Sequence, residues 1–302
     1  MAQPLLSRLR ERLGGPRIEV LAPPWVAPVV RRMAEVDEVI EAGLRHGELQ
    51  LGERWRIGRM LKARNYDHAV VLPNSWKSAL IPFFAGIPLR VGYLGESRYA
   101  LLNAVHENKH DREAMALHYA RLSEFPGKEP ALPLPFPRLK EKENDTAARF
   151  GISGRYIVLC PGAEYGPAKR WPYFRELASR LDGHVVLLGA ASDKVQAEGI
   201  PGRNLIGQTT LDDAIDLIAG AAAVVTNDSG LMHVAAATGT PQVALFGSSS
   251  PVHTPPMSAL ARVLWLKIEC SPCYARECPL GHFKCMRELS VERVLEEIKA
   301  LQ

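Results

Sequence analysis

Asn227, Asp228, Ser229 and Gly230, with His233 one helical turn further on, are the residues of this 302-residue chain whose types and spacing best suit chemistry. Asn, Asp and Ser have short polar side chains that accept hydrogen bonds from the free N–H groups of a helix start. Gly230 lets a ligand or another backbone come close. A helix start also carries unpaired amides and the positive end of the helix dipole, so it suits an anion such as a phosphate. Lys169 lies in another loop, Glu164 to Pro172, and its ammonium could pair with the same anion. Each residue also has a plainer reading. Asn-Asp-Ser-Gly can simply cap a crossover helix, Lys169 can be a solvated loop lysine, and His233 can be a hydrogen-bonded histidine of no special role.

The elements around these residues are what would position them. Ala223 to Thr226 is a short apolar run that reads as a strand. Leu231 to Ala237 can make two turns of helix, Gly239 suits the position after its end, and Pro241 stops it resuming before the strand Val243 to Phe246. Three similar units precede it. Tyr156 to Cys160 leads to a helix from Tyr173 to Leu181, His184 to Leu188 leads to another, and Asn204 to Gly207 leads to one from Thr210 to Ala219. The last opens on Thr210-Leu211-Asp212-Asp213, a capping-box pattern. Four strand–helix units predict a parallel sheet with helices on both faces, and such sheets bind ligands at the carboxyl ends of their strands. The back half ends with a strand at Val263 to Leu266, a cysteine-rich segment, and a helix from Val291.

The front half reads as a helix through Leu5, Leu9 and Leu13, a strand at Ile18 to Leu21, and helices over Pro28 to Val39 and Glu53 to Arg64. A strand at Ala69 to Leu72, an apolar helix at Ser78 to Ala85, a strand at Arg90 to Tyr93 and an amphipathic helix from Lys109 to Leu122 follow. Pro126, Pro130, Pro133, Pro135 and Pro137 are too dense for helix or central strand. The expected division is therefore a front domain over 1–125, a Pro-rich linker over 126–145 and a back domain over 146–302.

Apolar content of 47% and charged content of 23% are those of a globular protein. No run approaches ~18 uncharged apolar residues, so no membrane span is expected. The start shows no basic stretch followed by an apolar core, which points to the cytoplasm. The net charge is +4, and all of the excess lies in the front: residues 1–124 carry 18 Lys and Arg against 14 Asp and Glu. Much of it falls in Arg54 to Arg64. That run is an ordinary solvated helix face or a surface that meets anionic lipid head groups or a phosphorylated acceptor. Nucleic acid is not expected, since no basic stripe with stacking aromatics is present. No Gly-x-Gly-x-x-Gly follows a strand, which argues against a dinucleotide-binding oxidoreductase.

The stretch from Val224 to Gly247, with Ser248 to Pro251 after it, resembles the donor-site signature of the bacterial ADP-heptose:lipopolysaccharide heptosyltransferases. Leu72 to Pro88 and the tail from Cys270 to Cys285 are similar to the members that add the second heptose. The resemblance implies the GT-B class: two Rossmann-like, doubly wound α/β domains facing across a cleft. It implies an inverting transfer of heptose from ADP-heptose, as co-substrate, to the first heptose of heptosyl-Kdo2-lipid A at the cytoplasmic face of the inner membrane, with peripheral membrane contact and no metal or other cofactor. Lys169, Asp228, Ser229, Gly230, Leu231 and His233 are the positions it marks as binding the sugar donor. The family often has two threonines where this chain has Ala163-Glu164, so no hydroxyl contact is carried over there. The alternatives kept open are transfer of the first or third heptose, and a catalytically silent nucleotide-sugar-binding protein.

The resemblance also places a first strand and a glycine-containing loop, ending in the aspartate thought to act as base, ahead of Met1. No catalytic residue is therefore assigned within this chain, and a start codon set too far downstream is the expected reason. Cys270, Cys273, Cys278 and Cys285, with His282, have a spacing compatible with a tetrahedral zinc knuckle. Their intervals are irregular and the resembled enzymes are not metalloproteins, so no metal is expected.

Overall fold

The computed structural model describes the chain except residues 46, 109–111, 143–144 and 302. It divides into two compact units, the first comprising Met1–Arg31 and Glu35–Pro135, the second Arg32–Ala34 and Phe136–Gln302. The division thus falls within the Pro-rich segment, except for three residues, 32–34, that belong with the second unit.

Among its described residues the first unit has five strands, β1 (Glu19–Ala22), β2 (Glu38–Glu41), β3 (His68–Val71), β4 (Leu89–Tyr93) and β5 (Ala104–His106). All pairings are parallel, in two ladders: β1 with β2, and β3 with β4 with β5. Its helices are α1 (Gln3–Arg12), α2 (Ala27–Arg31), α3 (Leu51–Lys62), α4 (Trp76–Phe84) and α5 (Met115–Ala120). α3 lies so close to α4 that a Cβ on Gly58 would stand 2.6 Å from Phe84 Cβ, which is why a glycine sits there. The core between them is Ile57, Leu61, Ile81 and Ala85.

Two expectations for this unit need correction, and one strand was not expected. The helix expected over Pro28 to Val39 ends at Arg31, and its last residues lie in β2. The reason is tertiary: Arg32 turns into the second unit, where its guanidinium bonds Asp212 and Asp216, and Met33 forms a bridge with Leu139. The helix expected from Lys109 covers only Met115–Ala120; residues 109–111 of that expectation lie outside the described residues. Strand β5 is too short, at three residues, to show an alternation of its own.

The second unit is the cleaner one. Strands β6 (Tyr156–Cys160), β7 (His184–Leu187), β8 (Arg203–Asn204), β9 (Ala223–Asn227), β10 (Gln242–Phe246) and β11 (Ala261–Trp265) form one parallel sheet in the order β11-β10-β9-β6-β7-β8. Every residue of β6, β9 and β10 is buried, as continuous apolar runs in a covered parallel sheet should be. The helices are α6 (Thr146–Arg149), α7 (Phe174–Arg180), α8 (Leu211–Ala219), α9 (Gly230–Thr238), α10 (Lys284–Arg287) and α11 (Val291–Ala300). Thr210 caps α8: its hydroxyl accepts from Asp213 N–H while the Asp213 carboxylate accepts from Thr210 N–H. The segment after β7 is a 3-10 helix over Ala191–Ala197, not an α-helix. Gly239 ends α9 with φ +71, a left-handed geometry that glycine adopts without strain.

Candidate sugar-donor site

The sheet order puts β6 and β9 side by side at the centre of the second unit, so the loops leaving their carboxyl ends are neighbours. One is the Pro161–Arg170 loop; the other is the turn from Asn227 into α9. Asn227 joins them. Its side chain is fully buried, its Oδ1 accepts from Trp171 N–H at 3.1 Å, and its Nδ2 donates to the carbonyl oxygens of Pro161 (2.8 Å) and Gly162 (3.3 Å). An amide at the end of an apolar strand has to find such partners, because an unpaired buried amide is costly.

With the loops joined, Lys169 and Asp228 meet. Lys169 Nζ lies 2.5 Å from Asp228 Oδ2, and both side chains are largely shielded, at 15% and 5% exposure. Thr254 Oγ1 lies 3.4 Å from each carboxylate oxygen of Asp228. Tyr165 places its ring 4.9 Å below the ammonium, a cation–π contact that limits where Lys169 can swing. Lysine has three N–H donors and Asp228 takes one, so the ammonium is held in position with donors left over.

The helix end is arranged differently from the capping expected of it. None of the three polar side chains before α9 caps it. Ser229 occupies the cap position without a side-chain cap bond, its hydroxyl lying 3.3 Å from Thr226 Oγ1. Asn227 is committed to Trp171 and Asp228 to Lys169, for the reasons just given. Gly230 opens the helix, and a Cβ built there would meet nothing within 4 Å. Among the described residues nothing would touch a side chain at Gly230, and its φ is ordinary; neither packing nor backbone strain among them calls for a glycine there. Behind this tip, Met232 and Val234 to Ala237 are buried, Met232 against Ala244 and Phe246 of β10. Leu231 and His233 are half-buried. Burial pushes the His233 imidazole down to about 4, so it is neutral at pH 7 and offers one N–H rather than a positive charge.

Sequence reasoning placed Lys169, Asp228, Ser229, Gly230, Leu231 and His233 at the site, and the structure brings all six to one end of the sheet. It missed the residues that hold them. Besides Asn227, these are the tail segment's backbone groups. Gly166 has φ +148 and backs onto Arg276, whose carbonyl oxygen would stand 2.4 Å from a Cβ there and accepts from Ala168 N–H at 3.0 Å. Tyr165 Oη donates to the Tyr274 carbonyl, Tyr274 N–H to that of Ser248, and the Trp171 indole to that of Leu289. The loop after β10 is seated similarly: Ser271 Oγ donates to the Gly247 carbonyl at 2.6 Å, and a Cβ on Gly247 would lie 2.5 Å from Met286 Sδ. The only signal for this in the sequence is the pair of glycines, and their partners are more than thirty residues away.

The four tail cysteines are free thiols that, with His282, line a cavity of about 20 Å³. Among the described residues no three His, Cys, Asp or Glu side chains are placed to hold a metal ion. His282 Nδ1 already accepts from Lys284 N–H.

Residues 54–284 match the model of glycosyltransferase family 9 (heptosyltransferase). The chain is 44% identical to lipopolysaccharide heptosyltransferase 2 of Escherichia coli K12, covering all of this chain and 94% of that one. It is 40% identical to lipooligosaccharide heptosyltransferase 2 of Haemophilus influenzae, covering all of this chain and 95% of the other. Among solved structures, the ADP-heptose lipopolysaccharide heptosyltransferase II of E. coli superposes with a TM-score of 0.88 at 41% identity, over 99% of this chain and 93% of that one. A family 9 glycosyltransferase from Veillonella parvula shares the fold at a TM-score of 0.78 and 20% identity, over 99% and 92% of the two chains.

Proposed function

The chain belongs to glycosyltransferase family 9, the heptosyltransferases, with the α/β GT-B fold, and from that premise we propose that it transfers L-glycero-D-manno-heptose from ADP-heptose to the first heptose of heptosyl-Kdo2-lipid A in the lipopolysaccharide inner core. The observation that carries the proposal is the open amide tip of α9 beside the Lys169–Asp228 pair. The diphosphate sits on the N–H groups of Gly230, Leu231 and Met232 and on the remaining N–H donors of Lys169. Asp228 accepts from hydroxyls of the sugar, and Ser229 and His233 each donate one hydrogen bond.

In an inverting transfer the acceptor hydroxyl attacks the anomeric carbon on the face opposite ADP. The bond between that carbon and the β-phosphate oxygen breaks, and its electron pair leaves with ADP. Fixed amides and an ammonium are suited to this because they are already oriented where negative charge accumulates. In this reading they take the place of a metal ion. The proton of the attacking hydroxyl passes to a base, and none of the cradle residues is given that role. Neutral His233 serves as a donor to phosphate, not as a counter-charge.

The partners in this reading are ADP-heptose, the lipid-linked acceptor and the cytoplasmic face of the inner membrane, which the protein meets peripherally; no nucleic acid takes part. No described helix is long and apolar enough to cross a membrane. Titration calorimetry with ADP-heptose tests the binding half. The expected result is saturable binding unaffected by EDTA, with GDP-mannose failing to compete; no saturation by ADP-heptose refutes the reading. Release of ADP that depends on added heptosyl-Kdo2-lipid A, and not on Kdo2-lipid A alone, tests the acceptor.

A further inference from the structure

Helix α3 packs its inner face, Arg54, Ile57, Gly58 and Leu61, into the core of the first unit. A helix with one buried face ordinarily turns polar residues outward. α3 does not. Leu51 and Trp55, one turn apart on the same stripe, are 49% and 54% exposed, so large apolar side chains stand on its outer face. Between and beside them stand exposed cations. Arg59 lies over the Trp55 ring, with its guanidinium carbon 5.7 Å from the centroid, and Lys62 is exposed at the helix end. Among the described residues neither Arg59 nor Lys62 has an acidic partner, whereas the helix's other outward arginine, Arg56, is paired with Glu53. The start of α3 is fixed to the start of α4, since Arg54 donates to the Lys77 carbonyl and Lys77 Nζ to that of Glu48. Beside Lys77, Trp76 is 43% exposed.

We propose that the outer face of α3 is a docking surface for an anionic phospholipid bilayer. Trp55 and Leu51 enter the head-group boundary while Arg59 and Lys62, on the same stripe of the helix, meet lipid phosphates. The two observations are complementary. Exposed tryptophan and leucine supply the apolar part that interfacial helices use, and unpaired cations supply the charge that an anionic leaflet attracts. The cation–π contact keeps both kinds of group on one patch. A soluble anionic ligand would use the cations but leave Leu51 and Trp55 without a purpose. The inference rests on the proposed function only in its choice of a membrane-linked acceptor, and its test needs no transferase activity.

The test is co-sedimentation of the full chain with vesicles of phosphatidylglycerol and phosphatidylcholine mixed, against phosphatidylcholine alone. Binding at least tenfold stronger to the anionic vesicles, weakened by added salt, is expected. The quadruple variant Leu51→Ser, Trp55→Ser, Arg59→Ser, Lys62→Ser should lose at least tenfold in partitioning while still binding ADP-heptose. A second measurement does not depend on that variant's folding: bromine-labelled acyl chains should quench the wild-type fluorescence more than that of Trp55→Phe. Failure to bind anionic vesicles, equal binding of the folded variant, or equal quenching of the wild type and Trp55→Phe overturns the proposal. Loss of ADP-heptose binding by the wild type would refute the transferase reading and leave this one standing.

Discussion

Lys169 and Asp228, 59 residues apart in sequence, meet as an ion pair at 2.5 Å with most of their surface withdrawn from water. Removing one partner strands the other charge. Lys169→Ala should therefore destabilise the second unit by about 3 kcal/mol and weaken ADP-heptose binding at least tenfold. The double variant Lys169→Met, Asp228→Leu should regain most of the stability and none of the binding. Thermal melts paired with calorimetry separate the two effects, and a double variant that binds ADP-heptose normally would contradict the site.

Gly230→Ala makes the opposite prediction for stability. Its Cβ meets nothing, and alanine is the better helix former by up to about 1 kcal/mol, so the melting temperature should hold or rise slightly. If the open space is where the diphosphate sits, the added methyl should lower affinity for ADP-heptose by about tenfold, roughly 1.4 kcal/mol. Unchanged affinity in the alanine variant would place the nucleotide elsewhere.

Asn227 touches no ligand in the proposed reading, yet it joins the two loops through three hydrogen bonds. Asn227→Leu keeps the volume and leaves Trp171 N–H and two carbonyls without this partner. About 2–4 kcal/mol of stability should be lost. Where the variant remains folded, Lys169 is displaced and KM for ADP-heptose should rise more than kcat falls. A pure loss of kcat would argue that Asn227 acts on the reaction itself.

His233 makes folding sensitive to acid. Its folded value of about 4 lies below the ordinary 6.5, so the unfolded chain binds a proton that the folded one refuses between those limits. The contribution is fully present above pH 6.5 and is lost progressively as pH falls from 6.5 towards 4. His233→Gln should flatten that part of the stability–pH curve. An unchanged slope between pH 6.5 and 4 would show that the histidine titrates normally.

Arg32 is 2% exposed and bonds Asp212 and Asp216, the latter itself buried. Arg32→Ala should cost about 3–5 kcal/mol by leaving the Asp216 charge uncompensated. Arg32→Lys should recover only part of it, because a point charge cannot reach both carboxylates as a guanidinium does. Urea melts of the three proteins check the order.

The same arginine shows where sequence reasoning stops. The second unit was legible because its signals are local: β6, β9 and β10 are uninterrupted apolar runs, Thr210 and Asp213 cap α8 within four residues, and Gly239 ends α9. The placement of the six candidate residues at one end of the sheet was legible because a motif holds five of them on one strand–helix turn. Nothing local marks Arg32 as bonding a pair of aspartates 180 and 184 residues on, so sequence periodicity carries the helix from Pro28 past its true end at Arg31. Asn227, taken as a cap, is a cross-loop tie because Trp171 comes within reach only after the sheet forms. Periodicity cannot see either contact.

The way the tail backs the candidate donor loops sets an order of events during synthesis. Trp171 waits for the carbonyl of Leu289, Gly166 for that of Arg276, and Gly247 for the thioether of Met286. A nascent chain that has released β6 to β10 from the ribosome therefore holds the parts of the pocket but not its final shape. In the proposed reading the donor loops take their backing only once the segment from Arg276 to Leu289 has emerged, so their final shape comes late in synthesis.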